Sequence, residues 1–295
     1  MGRGDEAVAD AAAVSAMYKL FPDIEFNGRL VIGEGHEDSV PMLYADEALG
    51  TGKGPEIEVV VDALESATSC ALGGPNAIAA IAIAEQGGFL RCPPDVYMEK
   101  IAVGAWGKGV IDLDISMADN LAALAEVKGV KPQNLRVVLL DRPRHTKLLQ
   151  ELRDIDVHVK LISDGDLSAA LATTREEGGI DLLVGTGRAA QGVLAASALQ
   201  CLGGEIQARF QPSTQEEVDQ LRQIGVEDLR KKYTAKDLAQ GSVVFAATGV
   251  TTGEYLRGVR FFSGGGESHS VVMRSKSRTI RFLNTFHHFE EQPEY

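Results

Sequence analysis

The sequence predicts a layered α/β fold, and two observations carry that prediction. Short runs rich in β-branched residues alternate with helix-like stretches along most of the 295 residues. The hydrophobic fraction of 44% is enough for one large core or two medium ones. Because strands and helices that alternate along a chain pack as separate layers around a shared core, this order favours sheets covered by helices.

Six short segments are predicted to be buried strands. Each is rich in β-branched residues and is followed by Gly, Asp or Pro, residues that typically end strands. The segments are 29–32, 57–62, 136–140, 157–162, 181–184 and 242–247. Residues 73–84 fit a strand or a helix, and residues 51–55 (TGKGP) are predicted to form a hairpin turn.

Helices are predicted between these strands. One of them opens with Ser116 and Asp119, which have the spacing of a capping box. The predicted helices cover 6–20, 116–127, 144–154, 165–174, 191–202 and 214–224. A polar helix and Lys131-Pro132 separate two strand-rich blocks, so the chain is predicted to divide into an N-terminal α/β half, 1–125, and a C-terminal α/β half, 126–295.

The charge balance argues against several classes of partner. Lys and Arg number 29 against 42 Asp and Glu, a formal net charge of −13. Since nucleic acids and anionic membranes both attract basic surfaces, we expect neither as a general partner. No apolar stretch reaches the roughly 20 residues of a membrane-spanning helix. Cys70, Cys92 and Cys201 form no C-x-x-C pair, which predicts a reducing compartment and no zinc site.

Acidic residues follow two of the predicted strands, at the ends where ligands of α/β sheets gather. Glu34 lies between two glycines after strand 29–32, and Asp62 ends strand 57–62, with Glu65 three residues later. Asp10 lies on the first predicted helix. Oxygen ligands without paired His or Cys suit a hard cation such as Mg²⁺ or Mn²⁺, which in turn suits a phosphate substrate. The alternative is that these carboxylates are solvated loop residues or helix caps.

Four segments have the composition of an anion or sugar site. Arg142 and Arg144 flank a proline and can each bind a phosphate through two hydrogen bonds. The other segments are the turn Asp164-Gly165-Asp166, the run Gly185-Thr186-Gly187-Arg188, and residues 274–281, where a strand would place Arg274, Lys276 and Arg278 on one face. Each segment alone could be a surface salt-bridge group or a helix cap. Together with the acidic cluster they favour a sugar-phosphate site.

Several longer motifs extend over nearly the whole chain. They are GRGD at 2–5, VIGEG at 31–35 leading to PMLY at 41–44, PDVYMEK at 94–100, DRPRH at 141–145, LISDGD at 161–166, GVRFF at 258–262 and SKSRT at 275–279. In these motifs the chain resembles the class II fructose-1,6-bisphosphatases, and especially the cyanobacterial type that also acts on sedoheptulose 1,7-bisphosphate.

The resemblance implies a layered α/β/α/β/α sandwich of the metal-dependent sugar and inositol phosphatase type, usually an oligomer. It also implies hydrolysis of the 1-phosphate of a sugar bisphosphate with Mg²⁺ or Mn²⁺, in the cytoplasm or a plastid stroma. A metal-activated water would attack phosphorus in line. The matching metal ligands are Asp10, Glu34, Asp62 and Glu65, with Gln191 at a further ligand position. The matching substrate positions are Glu65, Ser66, Tyr97, Arg142, Arg144, Asp164, Asp166 and Arg188, and Glu65 is also the candidate catalytic residue.

The chain departs from the resembled family at this predicted site. The family motif Asp-Pro-x-Glu-Gly-Thr reads DALESA at 62–67, so Ala67 lacks the hydroxyl that would position the attacking water. Thr68 is one residue along and is expected to face elsewhere. Gln191 replaces a metal-binding glutamate and Arg188 replaces a glycine. Glu6 stands where the family has a lysine.

Two hypotheses of function follow from these departures. Loss of one preorganised transition-state group typically costs ~2.7–4 kcal/mol, so several losses together are expected to exceed a factor of ~10⁴ in rate. The first hypothesis is therefore a catalytically impaired or inactive paralogue that serves as a sugar-phosphate binder, a regulator or a structural subunit of an assembly. The second is an active, divalent-metal-dependent sugar-bisphosphate 1-phosphatase, because Asp10, Glu34, Asp62 and Glu65 are all retained.

Overall fold

The computed structural model describes residues 1–35, 40–175 and 178–289. The strands in these ranges are β1 (Asn27–Ile32), β2 (Ala48–Leu49), β3 (Glu56–Glu65), β4 (Ile78–Glu85), β5 (Tyr97–Val103), β6 (Arg136–Leu140), β7 (His158–Ile162), β8 (Leu182–Arg188), β9 (Glu205–Phe210), β10 (Tyr233–Thr234), β11 (Val244–Gly249), β12 (Arg260–Phe262), β13 (Gly265–Arg274) and β14 (Thr279–His288). The helices are α1 (Glu6–Tyr18), α2 (Ala67–Leu72), α3 (Met117–Lys128), α4 (Thr146–Asp154), α5 (Asp166–Ala172), α6 (Ala189–Leu202), α7 (Gln215–Gln223) and α8 (Ala235–Leu238).

The predicted strands and helices each correspond to an element of the structure, with ends shifted by a few residues. The segment that fitted either a strand or a helix contains most of β4, a strand whose side chains alternate between the core and more open positions. One half of the predicted capping box is present at the start of α3: the Ser116 hydroxyl accepts a hydrogen bond from the Asp119 N–H, whereas the Asp119 carboxylate accepts from the Ser116 hydroxyl. Gly129 ends that helix in the left-handed conformation that glycine favours.

One prediction of a turn and one prediction of a strand are wrong. Residues 51–55 do not form a hairpin, because they lead from β2 to β3, and these strands lie on opposite sides of β1. Residues 274–281 do not form one strand, since β13 ends at Arg274 and β14 begins at Thr279. The chain turns between them, so Arg274, Lys276 and Arg278 do not share a strand face.

The larger sheet contains strands from both the N-terminal and the C-terminal parts of the described chain. Its strand order is β12-β13-β11-β4-β3-β1-β2, and β14 pairs with β13 along its whole length. The pair β1 and β3 is parallel, and the pair β3 and β4 is antiparallel with a register shift between Asp62 and Glu65. This shift lies between the two carboxylate-bearing residues at the end of β3, and the pairing resumes at Glu65, which lies opposite Ile78.

The smaller sheet has the order β10-β9-β5-β8-β6-β7. Strand β5 is antiparallel to both of its neighbours, whereas β6 is parallel to β7 and to β8. Parallel neighbours end at the same edge of a sheet. The turns that follow β6 and β7 therefore open at one edge, where Arg142 and Asp164 lie.

Helix packing gives the molecule its layers. Helix α6 contains only small, apolar and amide-bearing residues and is buried nearly throughout, because it lies between the two sheets. Helix α5 is fully buried beside it. Helices α3 and α4 pack on the outer face of the smaller sheet, and α1 packs on the outer face of the larger one. The predicted layered α/β/α/β/α sandwich is thus confirmed.

The two sheets do not coincide with the two sequence halves. The larger sheet combines β1 to β4 with β11 to β14, and the smaller sheet is formed by the strands between them. The division at 125/126 therefore stays a prediction about domain organisation. Among the described residues, no helix is long and apolar enough to cross a membrane.

Candidate functional site

The largest concentration of predicted site residues lies around one open cavity of about 730 Å³. Strand ends of both sheets, the first turn of α1 and the start of α6 form its walls. Its lining includes Asp10, Glu34, Asp62, Glu65, Ser66, Ala67, Tyr97, Arg142, Asp164, Asp166, Arg188 and Gln191. The fold thus brings together residues that are far apart in the sequence, whereas Arg144, Lys276 and the other basic residues of 274–278 are not part of this lining.

Protein donors already hold several of the acidic side chains. Glu34 Oε1 accepts a hydrogen bond from the Ala63 N–H at 2.9 Å, and Glu65 Oε1 accepts one from the Leu167 N–H at 3.0 Å. Gln191 Nε2 donates to Asp62 Oδ2 at 2.8 Å. Glu65 Oε2 is buried without a hydrogen-bond partner among the described residues. The side-chain amide of Gln191 therefore binds the Asp62 carboxylate directly, which the glutamate of the resembled family could not do while ionised.

Burial and mutual repulsion make these carboxylates hard to ionise. Burial, followed by the charge of Glu34, raises the pKa of Asp62 from 3.8 to about 7. Burial, followed by the charge of Asp166, raises the pKa of Glu65 well above its usual value. The pKa values of Glu34 and Asp10 are also raised, mainly by burial. Such crowding of carboxylates is a mark of functional sites as well as of buried ion networks.

The turn after β3 carries backbone strain at Ser66. Its φ of 69° and ψ of 46° lie in the left-handed region, where a glycine of the resembled family fits without a steric penalty. The Ser66 side chain is buried and its hydroxyl has no partner in the described part of the chain. Ala67 begins α2 and lines the cavity without any polar side-chain atom.

The expectation that Thr68 faces elsewhere is not met. Thr68 also lines the cavity, because the tight left-handed turn at Ser66 starts α2 at the cavity wall. Its hydroxyl donates to Glu6 Oε2 at 2.8 Å. Glu6, which replaces a lysine of the resembled family, therefore binds the Thr68 hydroxyl. Thr68 is the neighbour of Ala67, the position at which the family has its threonine.

The arginines of the DRPRH motif take different positions. Arg142 lines the cavity, whereas Arg144 stacks on the Tyr97 ring at 4.9 Å and donates from Nε to the Thr186 carbonyl at 2.9 Å. Asp164, on the turn after β7, has a raised pKa chiefly because it is buried. Arg144 thus supports Tyr97 from behind and does not line the cavity itself.

Sequence reasoning missed two buried side chains that hold the cavity walls. Lys100 is only 3% exposed, and its Nζ pairs with Asp166 and donates to the Arg188 carbonyl at 3.1 Å. His145 Nε2 accepts a hydrogen bond from the Thr186 N–H at 2.7 Å, and Nδ1 lies 2.8 Å from the Leu140 carbonyl. Burial lowers the pKa of His145, in keeping with a neutral ring. The signal in the sequence that could have identified Lys100 is its position as the one basic residue of a largely apolar segment, YMEKIAV.

The fit of this site to a divalent cation is incomplete. All candidate ligands are oxygen atoms, which suits Mg²⁺ or Mn²⁺, and Glu65 Oε2, which has no hydrogen-bond partner in the described part of the chain, is one such ligand. However, no three His, Cys, Asp or Glu side chains in the described ranges are arranged to hold a metal ion. Gln191 offers a neutral Oε1 and turns its Nε2 donor to Asp62. The residues present therefore match the chemistry of a metal site but not its arrangement.

The layered fold and the acidic cavity at the strand ends define an α/β phosphatase-type protein. The family model for bacterial fructose-1,6-bisphosphatase, glpX-encoded, matches residues 1–287, and the chain belongs to this family. It is 40% identical to the D-fructose 1,6-bisphosphatase class 2/sedoheptulose 1,7-bisphosphatase of Synechococcus sp. (strain JA-3-3Ab), over 97% of this chain and 90% of that protein. It is 41% identical to the protein of the same description from Thermosynechococcus vestitus (strain NIES-2133 / IAM M-273 / BP-1), over 99% of this chain and 91% of that protein.

Proposed function

We propose that this member of the fructose-1,6-bisphosphatase family binds a sugar bisphosphate and hydrolyses it poorly or not at all, as a binder, regulator or structural subunit. The observation that carries the proposal is the hydrogen bond from Gln191 to Asp62 beside Ala67. Asp62 is held by a neutral donor, and no hydroxyl is present at Ala67 to position a water. The cavity still has Arg142 and Arg188 on its walls for an anionic ligand.

The direct test measures phosphate release from fructose 1,6-bisphosphate and sedoheptulose 1,7-bisphosphate with Mg²⁺ or Mn²⁺. Enzymes typically turn over at 1–10³ s⁻¹, and a loss beyond ~10⁴ would leave a rate below about 0.1 s⁻¹ even at the upper end. Replacing Ala67→Thr and Gln191→Glu together should raise phosphate release. If the double variant gains nothing, then Arg188 or Glu6 also limits the reaction.

The second candidate function is an active, metal-dependent phosphatase with a rearranged site. It is favoured by the convergence of Asp10, Glu34, Asp62 and Glu65 on one cavity. The family depends on divalent metal, and these four carboxylates with a weakened Gln191 would be the ligands. Phosphate release near ~1 s⁻¹ that Glu65→Gln abolishes would establish this function and contradict the first.

Self-association is part of the proposal and is supported by the edge of the larger sheet. Strand β14 pairs with β13 on one side, and no other described strand pairs with it. Phe282, Leu283 and Phe286 on this strand are 43–58% exposed. A ten-residue edge strand can pair with another chain through its backbone, and a second copy would pair β14 with β14 about a two-fold axis.

The proposed location is the cytoplasm or a plastid stroma. Its support is the state of the cysteines, since Cys70, Cys92 and Cys201 are all free thiols. Free, largely buried thiols are typical of reducing compartments. Fractionation of cells that produce the tagged protein tests this location.

A further inference from the structure

We propose that the cavity binds a phosphoryl group without a divalent cation, and that the Arg188 guanidinium supplies the positive charge that such an ion would bring. This inference rests on the proposed function, because it takes a sugar bisphosphate as the ligand. It goes further by naming the group that neutralises the ligand, and it can fail while sugar-bisphosphate binding stands.

The first support is that a protein donor occupies one oxygen atom of each of four carboxylates of the cavity. Gln191 Nε2 donates to Asp62, and Lys100 pairs with Asp166. The Ala63 N–H donates to Glu34, and the Leu167 N–H donates to Glu65. Each of these oxygen atoms already faces a hydrogen atom that bears partial positive charge. A cation could approach only the remaining carboxylate oxygen atoms, such as Glu65 Oε2, and among the described residues no three acidic, His or Cys side chains are arranged to hold a metal ion.

The second support is the position of Arg188. It ends β8 and caps the N-terminus of α6, and the Lys100 hydrogen bond to its carbonyl at 3.1 Å fixes its backbone. Its side chain lines the cavity and makes no hydrogen bond or ion pair among the described residues. Its charge lowers the pKa of Glu34, although burial has the larger, opposite effect. The Arg188 guanidinium is thus available to a ligand. It lies at the start of α6 and lines the cavity together with Glu34 and Asp62.

The third support is a set of hydrogen-bond donors beside that guanidinium. Ala190 and Gln191 in the first turn of α6 line the cavity, and this helix has 14 residues, so its N-terminus favours an anion. Ser66 lines the same cavity, and its buried hydroxyl has no hydrogen-bond partner in the described ranges. A phosphoryl group between Arg188, the start of α6 and Ser66 would meet one full positive charge and the positive end of the helix dipole, beside the Ser66 hydroxyl.

Titration calorimetry with fructose 1,6-bisphosphate in EDTA and in Mn²⁺ tests the inference. The wild-type protein is expected to bind in EDTA, and Arg188→Ala is expected to weaken this binding by about tenfold or more, the size of a hydrogen bond to a charged group. Arg188→Lys should retain part of the affinity, because it keeps the charge but not the planar fork. Arg230→Ala is the matched control, since Arg230 is an arginine 96% exposed and outside the cavity.

The possible outcomes separate this inference from the proposed function. Binding that occurs only with Mn²⁺ would overturn the metal-independent mode and leave the proposed function standing. Absence of binding in both conditions would overturn the proposed function as well. Equal affinity of the wild type and Arg188→Ala in EDTA would remove Arg188 from the site.

Manganese binding to the sugar-free protein gives a second, independent readout. If Arg188 takes the place of a cation, its removal should strengthen Mn²⁺ binding by about tenfold or more. The reason is that Arg188→Ala removes a positive charge, which repels Mn²⁺, from the cavity that the carboxylates line. Electron paramagnetic resonance of free Mn²⁺ measures this change directly. An unchanged or weakened Mn²⁺ affinity in Arg188→Ala, with Arg230→Ala again as the control, would contradict the inference.

Discussion

The pairing of Lys100 with Asp166 is expected to be among the most stabilising polar contacts of the cavity. Their side chains are 3% and 11% exposed, so little water screens the pair. Removing one partner of a buried pair leaves an uncompensated charge and typically costs about 3–5 kcal/mol. Lys100→Met should therefore lower the free energy of unfolding by about that amount, because Asp166 would remain beside Glu65 without its cation.

The double variant Lys100→Met/Asp166→Asn separates the charge from the packing. It removes both charges, so its loss of stability should be smaller than that of Lys100→Met alone. Urea denaturation in EDTA measures the three proteins, and Arg222→Met, which breaks an exposed pair with Asp219, should cost less than about 1 kcal/mol. The reasoning is refuted if Lys100→Met matches the control, or if the double variant is as unstable as the single one.

Three further predictions concern the turn at Ser66, the Asp62 carboxyl and the β14 edge. Ser66→Gly should stabilise the protein by about 1 kcal/mol in urea denaturation, because it relieves the left-handed strain and removes a buried hydroxyl that has no partner among the described residues. A loss of stability would contradict this. Since the folded pKa of Asp62 is about 7 against 3.8, its stabilising contribution is present at low pH and is lost as the pH rises from about 4 to about 7. Asp62→Asn should flatten that slope in EDTA, and an unchanged slope would be evidence against the raised pKa. Replacing Phe282 and Phe286 by Thr should shift the protein to a smaller species in light scattering, and a monomeric wild type would refute pairing through β14.

The sequence contained enough information for the layers and for most of the cavity wall. Alternating strand and helix segments predicted the two-sheet sandwich, which is confirmed. The carboxylates predicted near strand ends, Glu34, Asp62 and Glu65, line one cavity, and their roles as ligands stay predictions. The layers could be predicted because the hydrophobic period and the end of a strand are local properties of the chain. The position of a side chain at a strand end follows directly from them.

The contacts that decide the chemistry are not local and could not be predicted. The hydrogen bond from Gln191 to Asp62 joins residues 129 positions apart, and the Lys100 pair with Asp166 joins residues 66 positions apart. The direction of Thr68 depends on the left-handed backbone at Ser66, which sets where α2 begins. The hairpin predicted at 51–55 failed because strand pairing is a property of the whole sheet, in which β1 lies between β2 and β3.

The central claim is that the cavity holds a sugar bisphosphate without efficient hydrolysis. It is tested most directly by phosphorus nuclear magnetic resonance of the protein in excess over fructose 1,6-bisphosphate, with Mn²⁺ removed by EDTA before each spectrum. We predict that the phosphate-ester signals decay in Mn²⁺ with a first-order rate constant below about 0.1 s⁻¹, which is a half-life longer than about 7 s. Rapid conversion to inorganic phosphate at ~1 s⁻¹, abolished by Glu65→Gln, would contradict it.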